Sequence, residues 1–333
     1  MQKARFAAFG LIAAGLFAAS IATASAFDLT SITLKVGYGA GGTYDLSSRL
    51  VARHIGKFLP GNPSIVVQNE PGGGSLKLTK LMLGSEPTDG SVVASIGPAM
   101  AFAPILDPEN ADYDASAIVW LGSLSNEPAF CVTTKASGID TMEKFLGSEF
   151  HIGASGKNSA TYQQAAIPLN GLDAKFNIVT GFDGVAEIEL AMERNEIAGQ
   201  CSASVTDLKR RGMLDGVNII GRLGSGAAAG FEDVPRFSSM ISDPTVRKGA
   251  ELLEAVRDVN YPLMVPGGTP QEIVDVLREA YAAMIVDPDF IADVEAIGEF
   301  QYAPTPGARM AEIVAGHLQS DPAVLDAAKA LVQ

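Results

Sequence analysis

The chain has 333 residues, of which 47% are hydrophobic and 19% are charged, so it can form a substantial core, and wholesale disorder is excluded. Its formal net charge of −14 argues against nucleic acid and anionic membrane surfaces as partners. A small anionic ligand remains compatible with this charge, because backbone dipoles inside a cleft can outweigh the net charge.

Residues 1–26 have the features of a secretory signal peptide. Lys3 and Arg5 precede an apolar stretch from about Phe6 to Ile21, and Ala24-Ser25-Ala26 is typical of a cleavage signal. This stretch is shorter than the roughly 20 residues that a membrane-spanning helix needs, although a retained anchor is the alternative. We therefore expect cleavage after Ala26 and a soluble periplasmic protein.

A first α/β unit follows the signal peptide. Alternating apolar residues predict a strand over 32–36, and helical spacing predicts a helix over 44–58. The same patterns continue as strand, helix and strand, with short connections, which predicts a parallel sheet. These later elements cover residues 64–68, 75–83 and 91–96.

A second unit of the same kind is predicted to begin near Glu127, and the C-terminal part is predicted to be helical. The second unit has strands over 129–134, 151–155, 176–180, 197–201 and 217–221, with helices over 159–169 and 185–194. The C-terminal helices begin near Thr269 and cover 288–297 and 307–318.

The two cysteines, Cys131 and Cys201, can form a disulfide in an oxidising compartment or remain as two buried thiols. Nothing in the sequence decides between these two states. The three histidines, His54, His151 and His317, lie far apart and lack the spacing of metal ligands, so no metal site is expected.

Glycine-rich turns at 37–42 and 72–74 each follow a predicted strand and open a helix. Free backbone N–H groups at such a helix N-terminus form an anion site, and glycine lets a ligand approach the backbone closely. The first turn also matches G-x-G-x-x-G, with Glu70 after the next strand, which makes a nicotinamide-dependent oxidoreductase an alternative. Export, a long spacing to Glu70 and the lack of a hydride-transfer site argue against this enzyme, so no cofactor is expected.

Four segments together resemble the substrate-binding receptors of tripartite tricarboxylate transporters, the Bug family. They occur in the family's order and extend over nearly the whole chain after the signal peptide. The segments are Gly41-Gly42-Thr43-Tyr44-Asp45, Val67 to Gly74, Pro87-Thr88-Asp89-Gly90 and Val265 to Pro270.

The resemblance implies a type II periplasmic-binding-protein fold, with two α/β domains around a hinged cleft. Domain I would comprise 27–126 and 232–333, and domain II would comprise 127–231, with crossings near Asn126 and within 224–262. The protein would be a monomeric, non-enzymatic receptor that captures a small organic carboxylate and delivers it to the membrane subunits of a secondary transporter. A ligand sensor that feeds a signalling kinase is the other role that the family permits.

The resemblance also implies a set of ligand-binding residues. Backbone N–H groups of Gly41, Gly42, Gly73 and Gly74 would hold one carboxylate, and polar groups of the second domain would hold the other end of the ligand. The full set is Tyr38, Gly41, Gly42, Thr43, Tyr44, Asp45, Asn69, Gly73, Gly74, Ser75, Ser95, Gly97, Ser155, Asn158, Ser159, Thr161, Gly184, Ser202 and Ser204.

Three residues in these motifs raise specific questions. Asp45 either stabilises its helix N-terminus or orients a group of the ligand. Glu70 would repel an anionic ligand unless its carboxylate points away from the pocket. Tyr38 stands where the family often has another residue, and it either stacks on an aromatic acid or packs at the rim. The sequence leaves the identity of the carboxylate open.

Overall fold

A computed structural model describes residues 29–226, 228–298 and 300–333, so the predicted signal peptide over 1–26 lies outside the described residues. The chain forms two lobes, each built on one β-sheet. The strands are β1 (Ser31–Val36), β2 (Ser64–Asn69), β3 (Val92–Ser95), β4 (Val119–Ser123), β5 (Ala129–Thr134), β6 (His151–Ala154), β7 (Asn177–Thr180), β8 (Gly199–Ala203), β9 (Val217–Leu223), β10 (Leu263–Val265) and β11 (Thr305–Pro306).

Helices cover the faces of both sheets. The predicted helices over 288–297 and 307–318 are confirmed at the same bounds, and the predicted helix over 44–58 divides into α1 and a short 3₁₀ turn over Ile55–Phe58. The helices are α1 (Thr43–His54), α2 (Leu76–Gly84), α3 (Ala103–Leu106), α4 (Met142–Gly147), α5 (Ala160–Gly171), α6 (Val185–Glu193), α7 (Val205–Arg210), α8 (Phe237–Met240), α9 (Pro244–Glu254), α10 (Gln271–Met284), α11 (Pro288–Ile297), α12 (Gly307–Leu318) and α13 (Pro322–Val332).

The first sheet has the order β11-β4-β10-β3-β1-β2. Its β2, β1 and β3 are parallel, as predicted, but β10 runs antiparallel to both β3 and β4. The prediction of a parallel sheet is therefore confirmed for the three strands that it covered, and β10 adds an antiparallel edge that it did not include. The physical reason is that β10 belongs to the returning chain, which enters the first lobe from the opposite side.

The second sheet has the order β7-β6-β8-β5-β9, with β6 parallel to its neighbours and β5 antiparallel to both of its own. Fully buried side chains such as Phe130 and Ile188 fill the core between this sheet and α6. Leu34, Tyr281 and Phe290 belong to the separate core of the first lobe. A third cluster contains buried residues of both lobes, so the hydrophobic core continues from one lobe to the other.

Two crossing segments join the lobes and are hydrogen-bonded to each other. The Leu124 N–H donates to the carbonyl of Asn260 at 3.0 Å, and the Asn260 N–H donates to the carbonyl of Ser125 at 2.8 Å. The crossings run between β4 and β5 and between β9 and β10. This paired strip is the geometry of a hinge.

The helices α8 and α9 lie between β9 and β10, and α13 covers Pro322–Val332; all three pack around α5 of the second lobe. In contrast, α10 and α12 pack against β4 of the first sheet. The segment 232–333 therefore supplies structure to both lobes. No helix of the described ranges is both long and apolar enough to cross a membrane.

Cys131 and Cys201 are joined by a disulfide between the neighbouring strands β5 and β8. The structure thus decides the question that the sequence leaves open. The bond closes a loop of 70 residues, for which the chain-entropy model gives roughly 4 kcal/mol of stabilisation. It braces the sheet that carries the second lobe's side of the cleft.

Candidate functional site

A partly open cavity of about 50 Å³ lies between the two lobes. The loops around it follow the carboxyl ends of parallel strands, where open α/β sheets bind their ligands. Its volume is far below the space that a dinucleotide needs. The lining residues are Tyr38, Gly39, Gly42, Thr43, Tyr44, Ser155, Ser159, Ala160, Thr161, Gly184, Val185, Ser202, Ser204, Arg257 and Tyr261.

The lobes touch directly beside this cavity. The Gly39 N–H donates to the carbonyl oxygen of Asp183 in the second lobe at 2.9 Å. Gly74 packs so closely against Ser159 that an added Cβ would lie 2.4 Å from the Ser159 Cβ. A Cβ on Gly156 would lie 2.8 Å from the backbone of Gly73. The glycine turns therefore form the contact that closes the cleft.

The N-terminal ends of four helices meet at the cavity. The N-cap residues of α1, α5, α6 and α7 are Gly42, Ser159, Gly184 and Ser204, and all four line it. Gly42 and Gly184 have no side chain that could satisfy the first amides of their helices. Because helix N-termini carry a partial positive charge, this arrangement favours an anion.

Tyrosine rings form one wall of the cavity. The ring centroids of Tyr38 and Tyr44 are 4.2 Å apart, and those of Tyr44 and Tyr261 are 5.1 Å apart. Burial raises the pKa of Tyr38 to about 12 and holds the pKa of Tyr44 and of Tyr261 above its ordinary value. At neutral pH these hydroxyls are therefore uncharged and can act as hydrogen-bond donors.

Hydroxyl groups from the second lobe form another wall. The side-chain oxygens of Ser155 and Ser159 lie 3.1 Å and 2.6 Å from that of Thr161, so the three hydroxyls form one cluster at the start of α5. Ser204 donates to a carboxylate oxygen of Glu127 at 2.9 Å. These bonds hold the hydroxyl oxygens in place at the cavity surface.

Arg257 brings a full positive charge to the cavity. Its side chain comes from the second crossing segment, and only 6% of the residue is exposed. Its Nε donates to the carbonyl oxygen of Glu127 at 3.3 Å. Its Nη2 has no hydrogen-bond partner within the described part of the chain.

The structure brings ten of the predicted site residues together around this cavity. They come from the first glycine turn and from the loops of the second lobe, as the sequence predicts. The ten are Tyr38, Gly42, Thr43, Tyr44, Ser155, Ser159, Thr161, Gly184, Ser202 and Ser204.

Three predicted residues instead support the first glycine turn from behind. The Gly41 N–H donates to Asp45 Oδ2 at 2.9 Å, and Arg49 forms an ion pair with Asp45 at 3.0 Å. Burial acts to raise the pKa of Asp45, but the bonds from Arg49 and Gly41 hold it below its ordinary value. Asn69 donates to the carbonyl of Tyr38 at 3.0 Å. The side chain of Asp45 thus stabilises the turn, and the Gly41 amide is already occupied.

The remaining predicted residues also lie away from the cavity lining. Gly73 and Gly74 form the lobe contact, while Ser75 accepts a hydrogen bond from the Gly97 N–H at 2.9 Å and ties α2 to β3. Ser95 is buried in β3. Asn158 donates to Asp107 at 2.7 Å and borders a separate, larger hollow of about 250 Å³. That hollow mixes lysine and acidic side chains on the outer surface and lacks the enclosing turns.

Glu70 points away from the cavity and forms an ion pair with Lys35 at 2.9 Å. Glu70 therefore does not repel an anionic ligand in the cavity, because Lys35 neutralises its charge outside the site. This ion pair also removes the acid that a ribose would need in the dinucleotide alternative. No group of three or more His, Cys, Asp or Glu side chains suited to a metal ion occurs in the described ranges.

Besides Gly39, which lies in the glycine turn predicted over 37–42, four lining residues were not predicted, namely Ala160, Val185, Arg257 and Tyr261. The first two directly follow predicted site residues at helix starts. Arg257 and Tyr261 lie in the second crossing segment and match no motif. A local signal for Tyr261 is hard to find, because its φ of 55° is a left-handed conformation that only the fold imposes.

Comparison with known proteins agrees with this architecture. No family model matches the chain. A curated relative described as "UPF0065 protein in gbd 5'region", from Cupriavidus necator, is 29% identical over 152 residues. The match spans 44% of this chain and 45% of the relative, so it extends over less than half of either protein.

Two solved structures are similar over nearly the whole chain. The periplasmic binding protein BugD has a TM-score of 0.70 at 16% identity, covering 89% of this chain and 95% of BugD. MatC from Rhodopseudomonas palustris, solved with bound malate, has a TM-score of 0.69 at 18% identity, covering 92% of this chain and 100% of MatC. The periplasmic-binding-protein fold and the predicted resemblance to the Bug-type receptors are thereby confirmed.

Proposed function

We propose that this chain is a solute-binding receptor of the tripartite tricarboxylate transporter type, which encloses a small organic carboxylate between its lobes. One observation carries the proposal: the interlobe cavity is lined by helix N-termini, by hydroxyl groups and by the guanidinium of Arg257. Within the described residues, no carboxylate side chain lines it. A neutral or cationic ligand would leave this positive potential unused, whereas a carboxylate matches it.

The closed lobes explain how such a receptor holds its ligand. Contacts between the first glycine turn and the loop at Asp183 shield the cavity from water, which strengthens every hydrogen bond to a buried anion. The hinge strip at Leu124 and Asn260 lets the lobes separate for ligand entry and release. MatC, which shares the fold, was solved with malate, a small carboxylate.

The proposal includes the place of action and the partner. The chain would be exported, lose residues 1–26, and work as a periplasmic monomer that passes its ligand to the membrane subunits of a secondary transporter. The similarity to BugD, a periplasmic binding protein, supports this part. Expression with the full leader should yield a periplasmic protein whose N-terminal residue is Phe27, as read by intact mass. A product that retains residues 1–26 would contradict it.

Thermal unfolding in the presence of defined acids tests the binding function. Malate, succinate, citrate and benzoate are compared, each beside its uncharged amide as the matched control. An acid at 100 times its dissociation constant should stabilise the fold by about 2.7 kcal/mol, whereas the amides should leave the melting temperature unchanged. If no acid of this panel raises the melting temperature, carboxylate binding is contradicted.

A further inference from the structure

We infer that Arg257 is the residue that recognises the carboxylate of the ligand, through direct hydrogen bonding from Nη2. This inference rests on the proposed function and names the group that recognises the negative charge of the ligand. It starts from the position of the side chain, which lines the interlobe cavity while only 6% of the residue is exposed.

Within the described residues, no carboxylate neutralises the charge of Arg257. None forms an ion pair with it, and its Nη2 lacks any hydrogen-bond partner there. A buried charge without a partner is costly, because water is removed and nothing replaces it. A carboxylate placed in the cavity would supply both the opposite charge and the missing acceptor.

The carboxylate of Glu127, whose backbone carbonyl bonds to Arg257, is already engaged elsewhere. Glu127 accepts hydrogen bonds from Ser204, from Thr206 and from the Gln301 N–H through its carboxylate oxygens. Only its backbone carbonyl bonds to Arg257. The guanidinium is therefore oriented by the hinge backbone, and its outer nitrogen is left for another acceptor.

The position of Arg257 also links recognition to closure. The Glu127 carbonyl on the first crossing segment accepts bonds from Arg257 Nε at 3.3 Å and from Asn260 Nδ2 at 3.1 Å, both on the second crossing segment. A ligand held by Nη2 therefore bonds to the strip about which the lobes rotate. The charge of the ligand and the closed state of the cleft are stabilised by the same residue.

Isothermal titration calorimetry on the full mature protein tests the inference. Malate, succinate, citrate and benzoate are titrated into the wild type, and the tightest of them is then titrated into Arg257→Gln and Arg257→Lys. We expect Arg257→Gln to weaken the acid by on the order of 30-fold or more, and Arg257→Lys to weaken it less because the charge is kept. The matching amide should give no binding heat with the wild type or with either variant.

Arg222→Gln is the matched control. Arg222 is a partly buried arginine of the second lobe whose Nε lacks a partner within the described chain, but it does not line the cavity. This variant should bind the acid as the wild type does. An equal loss of affinity in Arg222→Gln and Arg257→Gln would overturn the inference, because it would show a general effect of removing a buried guanidinium.

The outcomes separate the inference from the proposed function. If the wild type binds none of the acids, the proposed function fails and the role of Arg257 fails with it. If the wild type binds an acid and Arg257→Gln binds it within threefold, only the role of Arg257 is overturned. Should Arg257→Gln not fold, the wild type alone decides: equal affinity for the acid and its amide would overturn the inference.

Discussion

The two glycine-rich turns of the first lobe follow neighbouring parallel strands, yet they contribute differently to the cleft. The turn over 37–42 places Gly39 and Gly42 on the cavity, and α1 begins beside it. The turn over 72–74 lies against the second lobe at Gly156 and Ser159. One turn forms the surface of the site, and the other forms the contact that closes it.

The difference shows that glycine serves two separate physical purposes here. At Gly42, which has a φ of −86°, the absence of a side chain leaves the helix N-terminus uncovered. At Gly74, which has a φ of 67°, it permits both a left-handed backbone and a contact that any Cβ would block. The same residue type after the same kind of strand therefore does not imply the same role.

Among variants that test this comparison of the two turns, the largest effect is expected for Gly74→Ala. The new Cβ would lie 2.4 Å from the Ser159 Cβ and 2.9 Å from its Cα, so the lobes cannot close without a backbone shift. We expect the affinity for the tightest-binding acid to fall by on the order of tenfold or more, equivalent to about 1.4 kcal/mol. Calorimetry measures the affinity, and small-angle scattering with ligand reports whether the lobes close.

Gly73→Ala is the matched control for that variant. Gly73 has a similarly positive φ of 59°, but its added Cβ would meet only Leu76 of its own lobe, at 3.4 Å. Both variants should lose on the order of 1 kcal/mol of folding stability through backbone strain. Only Gly74→Ala should lose affinity; an equal loss in both would mean that strain, and not the lobe contact, governs binding.

A smaller effect is expected for Asp45→Asn, which weakens the support of the first turn. The charged carboxylate accepts the Gly41 N–H and pairs with Arg49, so its loss should cost about 1–2 kcal/mol of unfolding free energy at pH 7. Because the folded-state pKa of Asp45 lies below its ordinary value of 3.8, the stabilisation is present above pH 3.8 and is lost as the pH falls through the folded-state pKa. Urea unfolding at several pH values measures both.

Asp112→Asn provides the comparison for Asp45→Asn. Asp112 pairs with Lys80 in the same lobe, but its side chain is 72% exposed, so water and salt screen the pair. This variant should leave the midpoint of urea unfolding nearly unchanged. If both variants lose the same unfolding free energy, the buried hydrogen bonds around the first turn add no more stability than an exposed ion pair does.

The smallest effect is expected for Gly42→Ala. The added Cβ would lie 3.8 Å from the Ala186 N, which is ordinary van der Waals contact, and the backbone conformation is open to alanine. Ligand affinity should stay within about threefold, since less than 1 kcal/mol is at stake. A loss of affinity of tenfold or more would mean that a ligand atom lies directly against this glycine. Both turns would then depend on the absence of a side chain for ligand binding.

Much of the fold follows from local patterns. The helices over Pro288–Ile297 and Gly307–Leu318 have the predicted bounds, because their apolar spacing and their proline or glycine starts are local signals. The strands β4 and β10 were missed, because β10 has only three residues and is held by partners from distant parts of the chain. The antiparallel edge of the first sheet was missed for the same reason.

The residues of the candidate site also divide into those that local patterns predict and those that depend on contacts between distant segments. Gly42, Ser159, Gly184 and Ser204 were predicted, because glycine or serine between a strand and a helix is a pattern of neighbouring residues. Arg257 was not, since its orientation depends on a hydrogen bond to Glu127, 130 positions earlier in the chain. The disulfide between Cys131 and Cys201 also required β5 and β8 to be neighbours.

The amino-acid sequence by itself determined the α/β units, the glycine turns and the helix starts that face the cleft, because these depend on hydrogen bonds and side-chain periodicity within a few residues. Only the tertiary structure decided which turn lines the cavity, which turn forms the contact between the lobes, and that the buried Arg257 lies at the same cavity. Those features depend on how two lobes and two crossing segments pack. Packing between distant segments cannot be predicted from the spacing of residues that are neighbours in the sequence.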